Sequence, residues 1–482
     1  MTRLEPIDHF IDGVTTPSAD GATMPSVDPT TRRPWAEVAL GAEQDVDRAV
    51  EAARSAFDHG PWPRMTQQER SALLRRLSEV LPANAAELGM LDTVDMGRPF
   101  SLTRTNDVQR SAANLRFFAD HAAMAADDSL PGQPGHHVYT RHEPAGVVAA
   151  ISPWNFPLMQ ETWKIAPALA YGNTVVLKPA EQSPASATRL AQLAVEAGLP
   201  PGVLNVVHGV GPEGAGQALA AHPGVDLITF TGETRTGEAI MREAAAGVRA
   251  VSFELGGKGA SLIFEDADIE RAVAVAADAA FANAGQICLA GTRILVQRTV
   301  YDQVVERLVK TAGQLRLGDP REPATEVGPL SSAEHHAKVT AHLRRAAEDG
   351  AVALTGGARD GWWVAPTVLV DTTPEMRITQ EEVFGPVVTI HPFDTEDEAV
   401  AAANATRYGL SAMVFTSRLS RAHRVAGRLR AGNVWVNCFW VRDLRSPFGG
   451  YGHSGVGREG GRYSREFFTE AKTVVMNVAD NS

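Results

Sequence analysis

The chain has 482 residues, 44% of them hydrophobic and 21% charged, with Lys+Arg 45 against Asp+Glu 57 and a formal net charge of −12. That length exceeds one ordinary core and predicts two or three packed units. The acidic balance argues against nucleic acid or an anionic membrane as the main partner.

Two cysteines, Cys288 and Cys438, make neither a disulfide framework nor a CxxC metal spacing, so a reducing compartment is expected. At the N-terminus, "MTRLEPIDHFIDG" carries Asp8 and Asp12 where a secretory signal would need an apolar run. No stretch reaches the roughly 18 uninterrupted apolar residues of a membrane span. The expectation is a cytoplasmic protein. "DVDRAVEAARSAFD" places Val46, Val50, Ala53 and Phe57 on one helical face. "TQQERSALLRRLSEVL" then opens with Thr66 and Glu69 at capping-box spacing, ahead of Leu73, Leu74, Leu77 and Leu81.

From Gly146 the pattern changes to short apolar runs alternating with helix-like segments. The runs are "VVAAI" (147–151), "TVVLK" (174–178), "VLNVV" (203–207), "DLITF" (226–230) and "AVSFE" (250–254). This spacing predicts βαβ units and a buried parallel sheet. A helix is expected over about 266–283. A second alternating set, "SLIF", "TRILVQ", "VVTIH", "SAMVFT" and "VWVN", predicts a second α/β unit. The C-terminal "KTVVMNV" reads as a strand that needs a neighbouring edge, in its own chain or a partner's.

Ligands of an open parallel sheet bind beyond the carboxyl ends of its strands. Those ends deliver, in turn, "SPWNF", "KPAE", "HGVGPEG", "TGETRTG" and "ELGGK". Five chemically competent segments on one predicted edge weigh more than any one of them. "GVGPEG" (Gly209, Gly211, Gly214) matches GxGxxG but follows the third strand rather than the first, so it is a plain loop or a dinucleotide turn with equal weight. In "FTGETRTG" a helix N-terminus could face a pyrophosphate, although Glu233 repels phosphate unless it turns away. Cys288, in "NAGQICLAG", is either a packed thiol or an uncrowded nucleophile. Glu254, between Phe253 and Leu255, needs a partner or a purpose.

Taken in order, "SPWNFP", "LKPAEQSP", "GVLNVV.G.G", "FTGETRTG", "FELGGK", "GQICLAGTR", "EEVFGP" and "PFGGYGHSGVGREGG" resemble the NAD(P)-dependent aldehyde dehydrogenase superfamily, over Ile7 to Val478. The resemblance implies Cys288 as nucleophile, Glu254 as general base and the Asn155 amide as oxyanion donor. It implies a cofactor groove holding NAD. Lys178 and Glu181 would serve its adenosine ribose, Gly211, Gly232 and Glu233 its pyrophosphate, and Glu382 and Phe384 its nicotinamide ribose, with Trp154 and Leu255 alongside. The implied chemistry is thiolate attack on an aldehyde, hydride transfer to the nicotinamide, and hydrolysis of a thioester by water that Glu254 deprotonates. Glu181 favours NAD over NADP because a carboxylate repels a 2′-phosphate.

The segment "NCFWVRDLRSPFGG" carries Arg442 and Arg445 where the family has a neutral loop, and "DVQRSAANLRFFAD" brings Arg110. Each alone reads first as a surface or interface charge pairing with an acid such as Asp443. Together they could hold a carboxylate through bidentate bonds. "RDLR.PFGG" is similar to the 2-hydroxymuconate, 2-aminomuconate and 5-carboxymethyl-2-hydroxymuconate semialdehyde dehydrogenases, which implies a carboxylate-bearing semialdehyde. A broad-range aliphatic or aromatic aldehyde dehydrogenase and a catalytically silent relative are the competing readings. No metal site is expected: His335 and His336 of "AEHHAK" fall on different helix faces and are read as surface residues.

The implied fold is α/β of the aldehyde dehydrogenase type. A Rossmann-type parallel-sheet cofactor domain (1–122 and 145–255) is followed by an α/β catalytic domain (256–465). A small β oligomerisation element (123–144 and 466–482) implies a homodimer or homotetramer.

Overall fold

The computed structural model describes residues 5–479, so the last three residues of the expected oligomerisation element lie outside the described residues. Among the N-terminal helices, Gln67–Ala83 starts as its sequence dictates. The Thr66 hydroxyl accepts from Glu69 N at 3.2 Å, and the Glu69 carboxylate accepts from Thr66 N at 2.7 Å. Two of the orphan N–H groups that any helix start leaves are thereby satisfied. Leu73, Leu74, Leu77 and Leu81 are all buried.

The five apolar runs form parallel strands β1 (Val147–Ile151), β2 (Thr174–Lys178), β3 (Leu204–Val206), β4 (Leu227–Thr231) and β5 (Ala250–Glu254). Their order across the sheet is β5-β4-β1-β2-β3, extended by Gly455–Val456 beside β5 and by His9–Ile11 and Val14–Thr16 beyond β3. Every residue of β1, β2 and β4 is buried, which is why these strands read as continuous rather than alternating apolar runs. Apolar side chains pack on both faces, with Leu74, Phe118 and Leu169 on one and Val46, Val50 and Leu219 on the other. The register pairs Ile151 with Lys178, Phe230 with Ile151 and Thr231 with Glu254, so the strands end level. The order reverses between β1 and β4, the switch point at which such sheets open a crevice.

The second sheet contains β6 (Ala260–Ile263), β7 (Arg293–Gln297), β8 (Val352–Ala358), β9 (Val364–Val370), β10 (Val387–Phe393), β11 (Ser411–Phe415) and β12 (Asn433–Val436). The order is β8-β9-β10-β7-β6-β11-β12, parallel except for β8 against β9. The sequence pattern missed β8 and β9. β8 is "VALTGGA", whose half-exposed glycines and register shifts erase the periodicity. The helix expected over 266–283 spans Ile269–Phe281, and Asp268 caps it with a side-chain oxygen on Arg271 N at 3.1 Å.

The terminal strand, Thr469–Asn477, finds its edge within the chain, pairing antiparallel with His136–Pro144 over nine register positions. Its other edge is open, because the three-stranded order ends on it. Among the described residues no helix is long and apolar enough to cross a membrane.

Candidate active site

The carboxyl edge of the first sheet faces the loops that lead into the second, and the glycines of "ELGGK" make the junction tight. A Cβ on Gly257 would lie 2.5 Å from the carbonyl oxygen of Cys288, and one on Gly256 would lie 2.2 Å from Glu382 Oε2. The two glycines after Glu254 thus let one backbone lie against the Cys288 backbone and against the Glu382 carboxyl. Gly257 N also donates to Glu382 Oε1 at 2.8 Å.

Cys288 is free and half-buried, and its loop is stitched to the Asn155 loop by amides. Asn155 Nδ2 donates to Gln286 O at 2.9 Å, and Asn283 Nδ2 donates to Asn155 O at 2.9 Å. Gln286 donates to Asn283 O at 3.1 Å and accepts from Ser331 N at 3.0 Å. Asn283 and Ala284 both sit at φ +53, a left-handed conformation that such a network can hold. One N–H of the Asn155 amide is engaged by Gln286; the other remains for a ligand oxygen. The roles of Asn283 and Gln286 were missed from sequence, where the only signal was two polar residues in an otherwise small-residue segment.

Glu254 is buried and neither carboxyl oxygen has a hydrogen-bond partner. Burial, with Glu459 beside it, holds its carboxyl well above the usual range, against the pull of Lys164, Arg442 and Arg458. A carboxyl raised in this way holds a proton more firmly than an exposed one, which suits a group that must take one from water. Burial, followed by the nearby Glu382 and Glu254, pushes the Cys288 thiol up to about 12.

Along the crevice, Lys178 Nζ lies 3.6 Å from Glu181. Gly211 has open space where a side chain would be. The awkward Glu233 is answered by tertiary structure: it pairs with Arg235 at 3.2 Å and with Lys338 at 3.3 Å, which turns and neutralises it. Leu255 is buried, and a Cβ on Gly237 would meet its side chain at 2.7 Å. Gly232 N donates to Glu254 O at 3.0 Å. Trp154 and Phe384 meet edge to face at 5.3 Å, with Phe384 itself at φ +57.

His335 corrects the sequence reading. It is buried, not on the surface; its Nε2 lies 2.8 Å from the Phe384 carbonyl, and its ring lies 4.9 Å from that of Trp154. The sequence signal was its spacing with Val339 and Ala346, which share the buried face of the helix Ala333–Glu348. His336 is half-buried, and the described residues hold no group of three or more His, Cys, Asp or Glu side chains placed to share a metal ion.

The three arginines separate. Arg445 is a correction: it is exposed and forks onto Asp443 at 2.6 Å, so it is already paired at the surface. Arg442 is turned inward, its guanidinium 3.9 Å from the Trp163 ring and 3.9 Å from the Phe448 ring. Its Nε and Nη2 are buried without a partner. Burial, and then the like charge of Arg110, hold it down to about 10. Arg110, half-buried on the helix Val108–Ala123, is lowered by burial too. Phe156 and Trp440 meet edge to face at 5.4 Å and complete an aromatic wall with Phe448 and Phe439 around Cys288.

The model of the aldehyde dehydrogenase family matches residues 16–474. A 2-hydroxymuconic semialdehyde dehydrogenase of Pseudomonas sp. (strain CF600) is 45% identical, covering 98% of this chain and 100% of its own. A mitochondrial benzaldehyde dehydrogenase of Antirrhinum majus is 43% identical over 97% of this chain and 88% of its own. The solved NAD+ complex of an aldehyde dehydrogenase from Bacillus cereus is 42% identical, covers 98% of this chain and 97% of its own, and superposes with a TM-score of 0.96.

Proposed function

The chain belongs to the aldehyde dehydrogenase family, and from that premise we propose that its substrate is a semialdehyde carrying a carboxylate at the far end, of the 2-hydroxymuconate or 2-aminomuconate type. It is an NAD-dependent aldehyde dehydrogenase. The observation that supports the substrate reading is Arg442, with the half-buried Arg110 near enough to act on it as a like charge. Arg442 is clamped between Trp163 and Phe448 with buried donors and no partner. A buried guanidinium beside another cation is costly unless an anion joins it. A carboxylate accepting a bidentate fork supplies that anion.

The crevice fits the cofactor. Lys178 and Glu181 would take the adenosine ribose. The open face of Gly211 and the neutralised turn Gly232–Glu233 would lie beside the pyrophosphate. Trp154, Leu255, Glu382 and Phe384 would flank the nicotinamide end. Bound there, NAD supplies the hydride acceptor.

The chain's own residues do the rest. Cys288 attacks the aldehyde carbon as thiolate, and the free N–H of Asn155 with the Cys288 backbone N–H holds the oxygen that becomes charged. Glu254 takes a proton from the water that hydrolyses the thioester. The open edge of Thr469–Asn477, with Val475 and Met476 exposed, supports a homodimer or homotetramer in which that strand meets a neighbour. The free thiols support a reducing, cytoplasmic setting.

The test is the ratio of kcat/KM for 2-hydroxymuconate semialdehyde to that for benzaldehyde. In Arg110→Ala and Arg442→Met this ratio falls by about ten- to a hundredfold, the worth of a charge-assisted bond. The Arg445→Ala ratio stays at the wild-type value. The aromatic wall of Phe156, Trp440 and Phe439 favours one second reading, a broad-range aromatic aldehyde dehydrogenase. In that case neither inward substitution moves the ratio.

A further inference from the structure

A single residue, Phe156, separates Asn155 from the helix Pro157–Ala170. It sits at φ −145 and ψ 72, and the proline that follows restricts it further. Pro157 offers no N–H to fix this turn, so the contacts of the Phe156 ring weigh more. The ring is buried and met on two sides. Trp440 meets it edge to face at 5.4 Å, and the guanidinium of Arg98 lies over it, 4.7 Å from its centroid. The same ring packs in the apolar cluster that includes Cys288.

Arg98 comes from an N-terminal segment with no part in the proposed chemistry. It is buried, and Asp107 takes it in a fork: Nε donates at 2.6 Å and Nη2 at 3.1 Å. Asp107 closes a π-helical turn, Thr103–Asp107, at the start of the helix Val108–Ala123; turns of this kind recur at functional sites. The fork leaves Nη1 buried with no hydrogen-bond partner. A buried guanidinium corner without an acceptor is costly, and the face of Phe156 is the electron-rich surface on which this guanidinium lies. The Arg98 backbone has little play. Gly97, at φ +82, has Pro329 Cγ 2.8 Å from where a Cβ would be, and Phe100 N donates to Pro320 O at 2.8 Å. The segment reaches the helix start a second time, where Leu158 N donates to Asp92 Oδ2 at 3.4 Å.

We propose that Arg98 is a positioning residue for the oxyanion donor: locked by Asp107 and stacked on Phe156, it fixes the turn that aims the free N–H of Asn155. The inference rests on Asn155 serving as that donor. Asn283 and Gln286 hold Asn155 from the Cys288 side; Arg98 holds it from the helix side. It acts through Phe156 and makes no bond to the reacting atoms. Two flat groups, a forked guanidinium and a ring, keep each other at one angle, which an ammonium on a flexible stem does less well.

The test separates oxyanion geometry from general damage to the Cys288 loop. Arg98→Met with Asp107→Asn removes both charges together, so that neither is left buried alone. Its kcat and kcat/KM for aldehyde oxidation fall together by about ten- to a hundredfold, since such a donor is worth about 10²–10³ and is here misaimed rather than lost. NAD binding, by fluorescence titration, keeps its wild-type Kd. Alkylation of Cys288 by iodoacetamide, followed on its own peptide to separate it from Cys438, keeps its wild-type rate, because displacement of iodide creates no oxyanion. A merely structural role would slow alkylation and turnover alike. Arg98→Lys, with Asp107 intact, recovers part of the loss. In an Asn155→Ala background the paired substitution has no further effect.

Wild-type turnover in the folded paired variant, an equal fall in alkylation, no recovery with lysine, or a full added loss in the Asn155→Ala background overturns the inference. Should the paired variant not fold, Phe156→Leu, which removes the ring and leaves the ion pair, is read by the same assays for the same pattern. Asn155→Ala by itself tests the reading beneath. A loss of about 10²–10³ there, with unchanged turnover in the Arg98 variant, removes this inference alone. Turnover kept in Asn155→Ala removes the oxyanion reading, and this inference with it.

Discussion

Replacing Gly257 with alanine tests the junction at its tightest point. The added Cβ would lie 2.5 Å from the Cys288 carbonyl oxygen, against about 3.4 Å for ordinary contact, and Leu410 Cβ at 3.3 Å blocks retreat on another side. Backbone cannot rotate out of the way, so one chain must shift by roughly 0.9 Å, and the movable one carries the nucleophile. A displacement of that size costs about 10²-fold in rate, with about 1–3 kcal/mol of stability from overpacking. Gly256→Ala is the control one residue away. There the added atom meets Glu382 Oε2 at 2.2 Å, the far end of a side chain that can turn aside. Its effect therefore falls on KM for NAD through loss of the Glu382 contact to Gly257 N. Steady-state NADH production at saturating NAD separates the two variants, with melting curves to show that both are folded. A folded Gly257→Ala enzyme keeping more than about half of the wild-type kcat would refute the reasoning, given the expected 10²-fold loss.

Cys288→Ala is expected to keep NAD binding by fluorescence titration and to lose turnover; more than about a hundredth of the activity remaining would count against the nucleophile. Glu181→Gln is expected to narrow the preference for NAD over NADP by about tenfold or more, as kcat/KM ratios report, because the charge opposing a 2′-phosphate is gone; comparable use of both cofactors by the wild type would sink the argument. Burial first, and Asp107 and Asp95 next, raise Asp92 to about 8, and burial raises Asp95 to about 7. Both hold their protons more tightly folded than unfolded. The stability they contribute is therefore complete below about pH 4 and is lost as pH climbs through those raised values. Melting temperature should drop from about pH 5 to about pH 9 in the wild type and drop less in Asp92→Asn; equal slopes would contradict the burial of that carboxyl.

Much of the fold was legible because its signals are local. β1, β2 and β5 lie where continuous apolar runs put them, and Thr66 caps its helix with Glu69 three residues on. The competent segments following all five predicted strands also made one edge of the sheet a candidate site before any contact was known. The rest depended on residues far apart in the chain. Sequence could place Glu254 and Cys288 on separate elements, but only packing sets Gly257 against the Cys288 carbonyl. Glu233 looked hostile to a phosphate until Lys338, more than a hundred positions on, came within 3.3 Å. His335 and His336 are neighbours in sequence, yet helix rotation buries one against Phe384 and leaves the other half-buried. Arg442 and Arg445 differ likewise: one is drawn between Trp163 and Phe448, the other held outside by Asp443. Residue type and spacing determined which chemistry the chain could perform and on which edge. Where each charge points depends on partners that only folding brings near, because an ionic group is stable wherever its field is answered, and that is a property of space rather than of sequence.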